Sequence, residues 1–505
     1  MKSVQLLGAR LRVLLIPALL VLGLGLRSYH YLRDRVVWQD EAGLLLTVTA
    51  RGFGDLFRGQ LDYHQAAPPL YLCVLKTVSL VLGDSSHALR LPSFLAGCAA
   101  LLLFVPVARC LLVPQAVPWA LLLFAGSEQL LWHASEAKAY SVDVLAAVLV
   151  LAVPCCGRLA SLRRQLLAYT LLAPVLLLSS YPACFLCVGL LFAYLPAVLA
   201  LAFPKRLTQR RKDAKKDQKN QFLSSFFLCV FASLRESLLW LALLMTIGVT
   251  LLWLLLGPVR CQHDAEIHSC WVACMPDWHR PWTVPGWLLL APFEMCRYCC
   301  KPLGQVLALL AVPGTLVLWR CGERTMVRLM LAPILLALLA ACAQCYPFGG
   351  ARVMAYTTPA ILLLAAAGVP PVFAWLNPRL RLVSVGLVAL LVLPLLSSLE
   401  KVVHTWREAD IPAAAAFVQA QRHGDDLILG NDVAQQYYFR HLGRAFHLLD
   451  DTPLPSPCGD RLWVVMTASL PRSERVRMAS QLAPAGWHAR RQHEFAFTTV
   501  ILFSR

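Results

Sequence analysis

Residues 88–109 read ALRLPSFLAGCAALLLFVPVAR, an uncharged run from Leu91 to Ala108 held between Arg90 and Arg109. As a helix rising 1.5 Å per residue it spans about 27 Å, close to the roughly 30 Å hydrocarbon thickness of a bilayer. The run is one of eleven candidate spans, near 11–28, 88–109, 117–132, 140–156, 166–181, 183–203, 237–257, 302–319, 327–345, 353–375 and 381–398. The stretch 221–234 is apolar but short for a span and is expected to form an interfacial helix.

The composition agrees with this reading. Of 505 residues, 58% are hydrophobic and 15% charged, which excludes disorder and a simple cytosolic enzyme. The net charge of +18 would suggest nucleic acid if it lay on a folded surface, but the basic residues stand between the apolar runs. With the first span running outward, the inner turns collect Lys2, Arg10 and Arg12; Arg158, Arg163 and Arg164; Lys205 to Lys219; Arg320, Arg324 and Arg328; and Arg379 with Arg381. That is the positive-inside pattern of a multi-pass cell (inner) membrane protein. The first segment has a basic start and an apolar middle, but no small-x-small cleavage site follows, so it reads as a retained anchor.

An odd number of spans puts the tail outside. There the pattern changes to helix at Asp410–Gln421, strand at Asp426–Leu429, helix at Val433–His441, strand at Arg461–Met466, helix at Ser473–Leu482 and an alternating strand at Glu494–Phe503. The expected organisation is a transmembrane catalytic domain, 1–398, whose first outer loop, 29–87, carries an acid pair. A small extracytoplasmic α/β domain follows, 399–505.

Eighteen cysteines are many, but at least half fall inside predicted spans, where free Cys is a small apolar residue. Cys261, Cys270, Cys274, Cys296, Cys299 and Cys300 lie in or beside one outer loop, where some would pair in an oxidising compartment. His263, Asp264, Glu266, His268 and His279 share that loop. Their spacing fits no standard zinc pattern, so a disulfide-stapled loop is the plainer reading and no metal site is assigned.

The chemistry concentrates on the outer face. Trp38-Gln39-Asp40-Glu41 is followed by Asp62-Tyr63-His64-Gln65-Ala66-Ala67-Pro68-Pro69, and Arg90 opens the next span. Adjacent carboxylates at a bilayer rim are costly unless they face water or a polar cavity, which makes them functional candidates. Further along come Ser135-Glu136-Ala137-Lys138-Ala139-Tyr140-Ser141-Val142-Asp143 and Tyr346-Pro347-Phe348-Gly349-Gly350-Ala351-Arg352, the latter leading into a span that contains Pro359.

This order of acid pair, diproline and arginine-led span resembles the GT-C class of multi-span glycosyltransferases, particularly protein O-mannosyltransferases and the lipid A aminoarabinose transferase group. The resemblance covers most of residues 1–375. It implies an α-helical multi-span enzyme that moves a sugar from a polyprenyl-phosphate donor to a lipid, polysaccharide or protein acceptor on the outer face, by inverting displacement without a covalent enzyme intermediate. The first acid of the pair, Asp40, is then the expected catalytic base. Lys138 and Asp143 match by position the family's arginine and downstream acid, with Lys in place of Arg. The sequence departs from many relatives of the aminoarabinose transferase at Ala67, where they carry Lys immediately before the diproline. The phosphate contact must then pass to Arg90, Lys138 or Arg352.

Such a transfer needs a base for the acceptor proton and cations for the departing phosphate. Arg90 and Arg352 are the preferred clamps, because guanidinium donates two parallel hydrogen bonds to phosphate oxygens; the plainer alternative is interfacial snorkelling. Glu41 is open to three roles: orienting Asp40, binding acceptor, or helping to hold a divalent cation. Lys138 is either a phosphate contact or an anchor. Asp143 is either functional or paired with Lys138, and Glu136 either functional or a solvated loop acid. Tyr63 and His64 are candidate acceptor or phosphate contacts against ordinary interfacial trim. The rival classes are a transporter or flippase of lipid-linked sugar, which predicts charges near the midplane and internal repeats, and a scaffold in which these groups stay scattered.

Overall fold

The computed structural model describes residues 2–202, 219–263, 265–376, 380–424, 426–449 and 460–505. The basic run from Lys205, except Lys219, lies outside the described residues, as do Asp264 and Arg379.

The chain is a multi-span helical bundle. Among the described residues seven helices are long and apolar enough to cross a membrane: Leu14–Leu32, Ser86–Leu111, Ala183–Ala200, Arg235–Gln262, Arg324–Cys342, Arg352–Leu376 and Arg381–Val403. The pair Pro281–Cys299 and Gly304–Arg320, bent by 101°, makes eight if it is one broken span. The other expected spans are helical but short or polar. Tyr140–Cys155 has 16 residues, about 24 Å of helix. Leu162–Ser179 carries Arg163 and Arg164 in its first turn. The run 117–132 is divided into Val117–Ala125 and Glu128–His133. At the break, a Cβ on Gly126 would stand 2.8 Å from the backbone of Leu395. The expected interfacial helix at 221–234 is instead the first part of one helix, Lys219–Leu254.

Lipid contact and packing divide the bundle's side chains. Leu171, Leu309, Leu339 and Leu382 are exposed, as membrane-facing leucines are. Inside, helices meet through small residues, as bundles in lipid require. Helix Thr358–Leu376 crosses Gly304–Arg320 so closely that a Cβ on Gly314 would fall 1.8 Å from the Leu364 carbonyl oxygen. One on Gly368 would lie 2.0 Å from that of Leu310. This crossing fixes the helix whose preceding turn carries Arg352.

Before the second long helix come shorter elements that build the rim. Helix α1 (Lys2–Leu32) is followed by α2 (Gln39–Ala50), a turn at Asp62–His64, α3 (Pro69–Leu82) and α4 (Ser86–Leu111). Pro69 is the first residue of α3, where its missing N–H costs nothing, and Pro68 is extended. The diproline therefore starts a helix, as a chain-breaking pair between two surface helices should.

The tail forms a five-stranded sheet in the order β2-β1-β3-β5-β4, from β1 (Leu427–Gly430), β2 (Phe446–Leu448), β3 (Arg461–Thr467), β4 (His488–Phe495) and β5 (Thr498–Ser504). β1 is parallel to β2 and β3, while β5 is antiparallel to β3 and β4. The single strand expected at Glu494–Phe503 is a hairpin, turned at Ala496 and Phe497, the latter at φ 53°. Alternation along both arms hides such a turn from the sequence, and three-residue β2 is too short to show a period.

Alternate side chains build two cores. Ile428, Trp463, Val465, Val500 and Leu502 pack beneath helices Ile411–Gln421 and Val433–Phe439, and Leu427, Val464, Met466 and Ile501 face helix Arg472–Gln481. Ile411, Ala434 and Tyr437 in turn bury Val37, Ala42, Leu45 and Leu46 of the α2 region, at about 1.5–3 kcal/mol for each large side chain. The Tyr438 hydroxyl accepts from the Val37 amide at 2.9 Å. The sheet unit is thereby docked on the helix that carries the acid pair.

Candidate active site

Asp40 and Glu41 occupy the first turn of α2, where the helix dipole favours carboxylates. Successive helical residues point about 100° apart, and here the two acids diverge into different environments. Asp40 faces the rim with its side chain 24% exposed, whereas Glu41 is fully buried.

Three chain segments converge on Asp40. Arg352 reaches its Oδ2 at 2.8 Å from the turn before helix Thr358–Leu376. The Lys138 ammonium lies 3.2 Å from Oδ1, and the Gln65 amide donates to the same oxygen at 3.1 Å. Lys138 also donates to the Gln65 carbonyl at 2.5 Å, so the amide ties acid and amine together. Burial alone would raise the Asp40 carboxyl. Lys138, Arg352 and the Gln65 hydrogen bond outweigh it and hold the group below its ordinary value. Gly43 makes room for this arrangement, since a Cβ there would meet Tyr63 Cβ at 2.9 Å and Gln65 Nε2 at 3.0 Å.

Arg352 is held by aromatic faces. Its guanidinium carbon sits 4.7 Å from the Trp38 ring centroid and 5.6 Å from that of Trp271. Glu136 in turn fixes Trp38. It is fully buried and accepts from Trp38 Nε1 and Trp132 Nε1, both at 3.1 Å, and bonds His133 Nδ1 at 2.5 Å. Burial would raise its carboxyl, but His133, Arg35 and Arg352 keep it depressed. Glu136 is thus no solvated loop acid.

Arg90 does not present itself to a ligand. Its Nε and one terminal nitrogen donate to the two Glu41 oxygens, both at 2.7 Å, and the other terminal nitrogen donates to Asp34 at 2.8 Å and to the Arg35 carbonyl at 2.7 Å. The Ala137 amide also donates to Glu41 at 2.7 Å. An Arg engaged on both forks has nothing left for a phosphate, so its expected clamp function gives way to a buried ion pair. Glu41 fits a metal ligand no better, because both its oxygens are taken. No group of three His, Cys, Asp or Glu among the described residues is arranged to hold a metal ion.

The remaining expected residues are less central. Asp143 is buried one turn along from Lys138, but Lys138 turns to Asp40, and no described group hydrogen-bonds Asp143 Oδ1. His64 pairs with Glu266 at 2.9 Å, both more than half exposed. Tyr63 has φ 58° and packs between α2 and the sheet unit, its carbonyl accepting from Gln65 at 3.0 Å. Ala67 is buried, and Gln262 grips its peptide from both sides, accepting from the amide at 3.0 Å and donating to the carbonyl at 3.1 Å. Cys261, Cys270, Cys274, Cys296, Cys299 and Cys300 are free thiols rather than the expected staples. The last three are buried at a helix end against the bundle core.

Gln65, Trp38, Trp271, Gln262 and Arg35 escaped assignment from sequence. Gln65 stands inside the 62–69 stretch quoted above, but a neutral amide carries no charge signal.

No protein-family model matches the sequence, and no curated protein matches it. Solved structures that share its fold include two of one protein. One is the crystal structure of ArnT from Cupriavidus metallidurans bound to undecaprenyl phosphate, 14% identical, with a TM-score of 0.50 over 98% of this chain and 98% of that one. The other is the same protein in the apo state, 13% identical, with a TM-score of 0.51 over 98% of each chain. The fold is therefore that of the multi-span GT-C class.

Proposed function

We propose that this protein is a membrane glycosyltransferase that moves a sugar from a polyprenyl-phosphate carrier to an acceptor on the outer face. The observation that carries the reading is the meeting of Asp40 with Lys138 and Arg352 at the rim of a GT-C-type bundle. The ArnT structure of the same fold is bound to undecaprenyl phosphate, which supports a carrier of that class.

In this mechanism Asp40 takes the proton of the acceptor hydroxyl as its oxygen forms a bond to the anomeric carbon. The bond from that carbon to the carrier phosphate breaks, and its electron pair stays on the phosphate. Lys138 and Arg352 hold the charge that develops there. The displacement is direct and inverts the anomeric centre. A phosphate drawing the two cations toward itself also withdraws them from Asp40, so donor binding makes the carboxylate a stronger base. Glu41 and Arg90 anchor the start of α2, and Glu136 aims Trp38 at Arg352. The chain divides near residue 398 into this catalytic part and an outward-facing α/β domain, in a cell (inner) membrane orientation. A flippase of lipid-linked sugar would call for charges along a path through the bundle rather than a cluster gathered on rim segments.

Native mass spectrometry of the purified protein with undecaprenyl phosphate and with dolichyl phosphate tests the carrier. The wild type should retain at least one of them, and Arg352→Ala should bind it more weakly. Equal binding by both proteins, or none by the wild type, would remove this assignment.

A further inference from the structure

A second polar cleft lies at the junction of the end of α1, the loop to α2 and the linker that follows helix Arg381–Val403. It has a volume of about 200 Å³ and is lined by His30, Arg33, Asp34, Arg35, Thr405, Trp406 and Glu408, with the Val36 backbone. Arg35 decides what it is for. Its side chain is 5% exposed, and its guanidinium stacks 3.4 Å from the Trp132 ring centroid. Stacking leaves the in-plane N–H groups to find acceptors, yet Nε and both terminal nitrogens have no hydrogen-bond partner among the described residues. The nearest carboxylates, Glu136 at 3.8 Å and Glu408 at 3.9 Å, balance its charge at distances too long for hydrogen bonds. His30 Nε2 is buried beside it and is likewise unpartnered. A buried guanidinium with its donors unmet is costly, and a ligand that supplies oxygens recovers that cost.

The charge balance selects the ligand. Arg35 already stands between two acids, and Asp34, on the cleft wall, pairs with Arg90. An added phosphate would face Asp34 and Glu408 with no uncompensated cation but Arg33. A neutral polyol meets the same donors without that penalty: its oxygens accept from Arg35 and His30, and its hydroxyls donate to Glu408. The Trp406 ring, fixed by its Nε1 bond to Glu128 at 2.7 Å, is an aromatic wall of the kind on which the apolar face of a pyranose packs. The volume is below that of a drug-sized pocket and suits one six-membered ring.

We propose that this cleft is a binding site for a single neutral sugar ring, held by Arg35, Glu408 and Trp406. It rests on the glycosyltransferase reading only for its use, as the place where a glycan acceptor docks; the binding itself stands on the cleft alone.

Saturation-transfer NMR on the purified full chain tests it, with methyl α-D-glucopyranoside and methyl α-D-mannopyranoside as probes and inorganic phosphate as competitor. One of the two glycosides should bind, with no displacement by phosphate. Thr405→Trp, which fills the cleft from its linker side, should raise the dissociation constant at least tenfold, and Glu408→Gln should raise it by a smaller factor at unchanged melting temperature. Asp40→Asn should leave the binding as it is, so that loss of transfer and loss of this site are separable. Absence of binding by both glycosides, displacement by phosphate, or binding undiminished in a folded Thr405→Trp protein would overturn the proposal.

Discussion

Arg352 and Asp40 form an ion pair at 2.8 Å although most of the membrane bundle separates them in sequence. The Arg side of the pair is set by the glycine crossing that fixes helix Thr358–Leu376, and the Asp side by the docking of α2 under Ile411, Ala434 and Tyr437. Both residues stand on packed elements, so their backbones are preorganised while the Arg352 side chain can still turn from Asp40 toward a phosphate.

Replacing Arg352 with Ala should cost donor use about 10²-fold in kcat/KM, equivalent to roughly 3 kcal/mol of lost charge stabilisation. Arg352→Lys should recover only part of this, because an ammonium neither stacks between Trp38 and Trp271 as a plane nor forks onto phosphate. Steady-state kinetics with varied donor would show it, and wild-type kinetics in the Ala variant would exclude Arg352 from the phosphate contact.

Glu41 and Arg90 should behave as structure where Asp40 behaves as chemistry. Glu41→Gln or Arg90→Met strands a buried charge and should destabilise by about 3–5 kcal/mol, whereas the double replacement Glu41→Leu with Arg90→Leu should be milder than either single change. Thermal unfolding in detergent reads this directly. Single variants with unaltered melting would mean that the pair is not buried as described.

The activity should survive to lower pH than an ordinary carboxylate base allows. Lys138 and Arg352 depress the Asp40 carboxyl, so the acid limb of kcat/KM, which reports the free enzyme, should fall below the usual value near 3.9. Arg352→Ala removes one of those cations and should move that limb upward. The stability that Asp40 and Glu136 contribute is complete above the ordinary carboxylate range and is lost as pH falls through their depressed values. A limb that stays put in Arg352→Ala would separate the cation from the base.

Gly43→Ala should impair turnover without touching any charged group. The new Cβ meets Tyr63 and Gln65 at about van der Waals overlap, which pushes the amide off Asp40. Displacements of this size can cost up to about 10²-fold in rate. Kinetics of the variant beside Gln65→Leu would check it: the two should lose similar factors.

Apolar length and charged punctuation made the membrane architecture legible, along with the acids and cations of the rim. What they could not convey was pairing. Arg90 and Arg352 both stand at the starts of apolar helices, and only the three-dimensional arrangement shows one given over to Glu41 while the other faces Asp40. The run 140–156 reads as a span because it is apolar but for Asp143, yet its helix, Tyr140–Cys155, has only 16 residues, short for a full crossing. Gln65 stayed hidden because an amide that bridges Asp40 and Lys138 has no periodicity or charge to announce it.

The central claim is that Asp40 activates an acceptor for sugar transfer from a lipid-linked donor. Mass spectrometry of lipid-linked sugars and envelope glycans, in cells carrying the wild-type gene or Asp40→Asn at equal protein level, tests it most directly. The account predicts that one sugar disappears from the glycans while its polyprenyl-phosphate form accumulates. Glycans and lipid-linked pools identical in the two strains would contradict it.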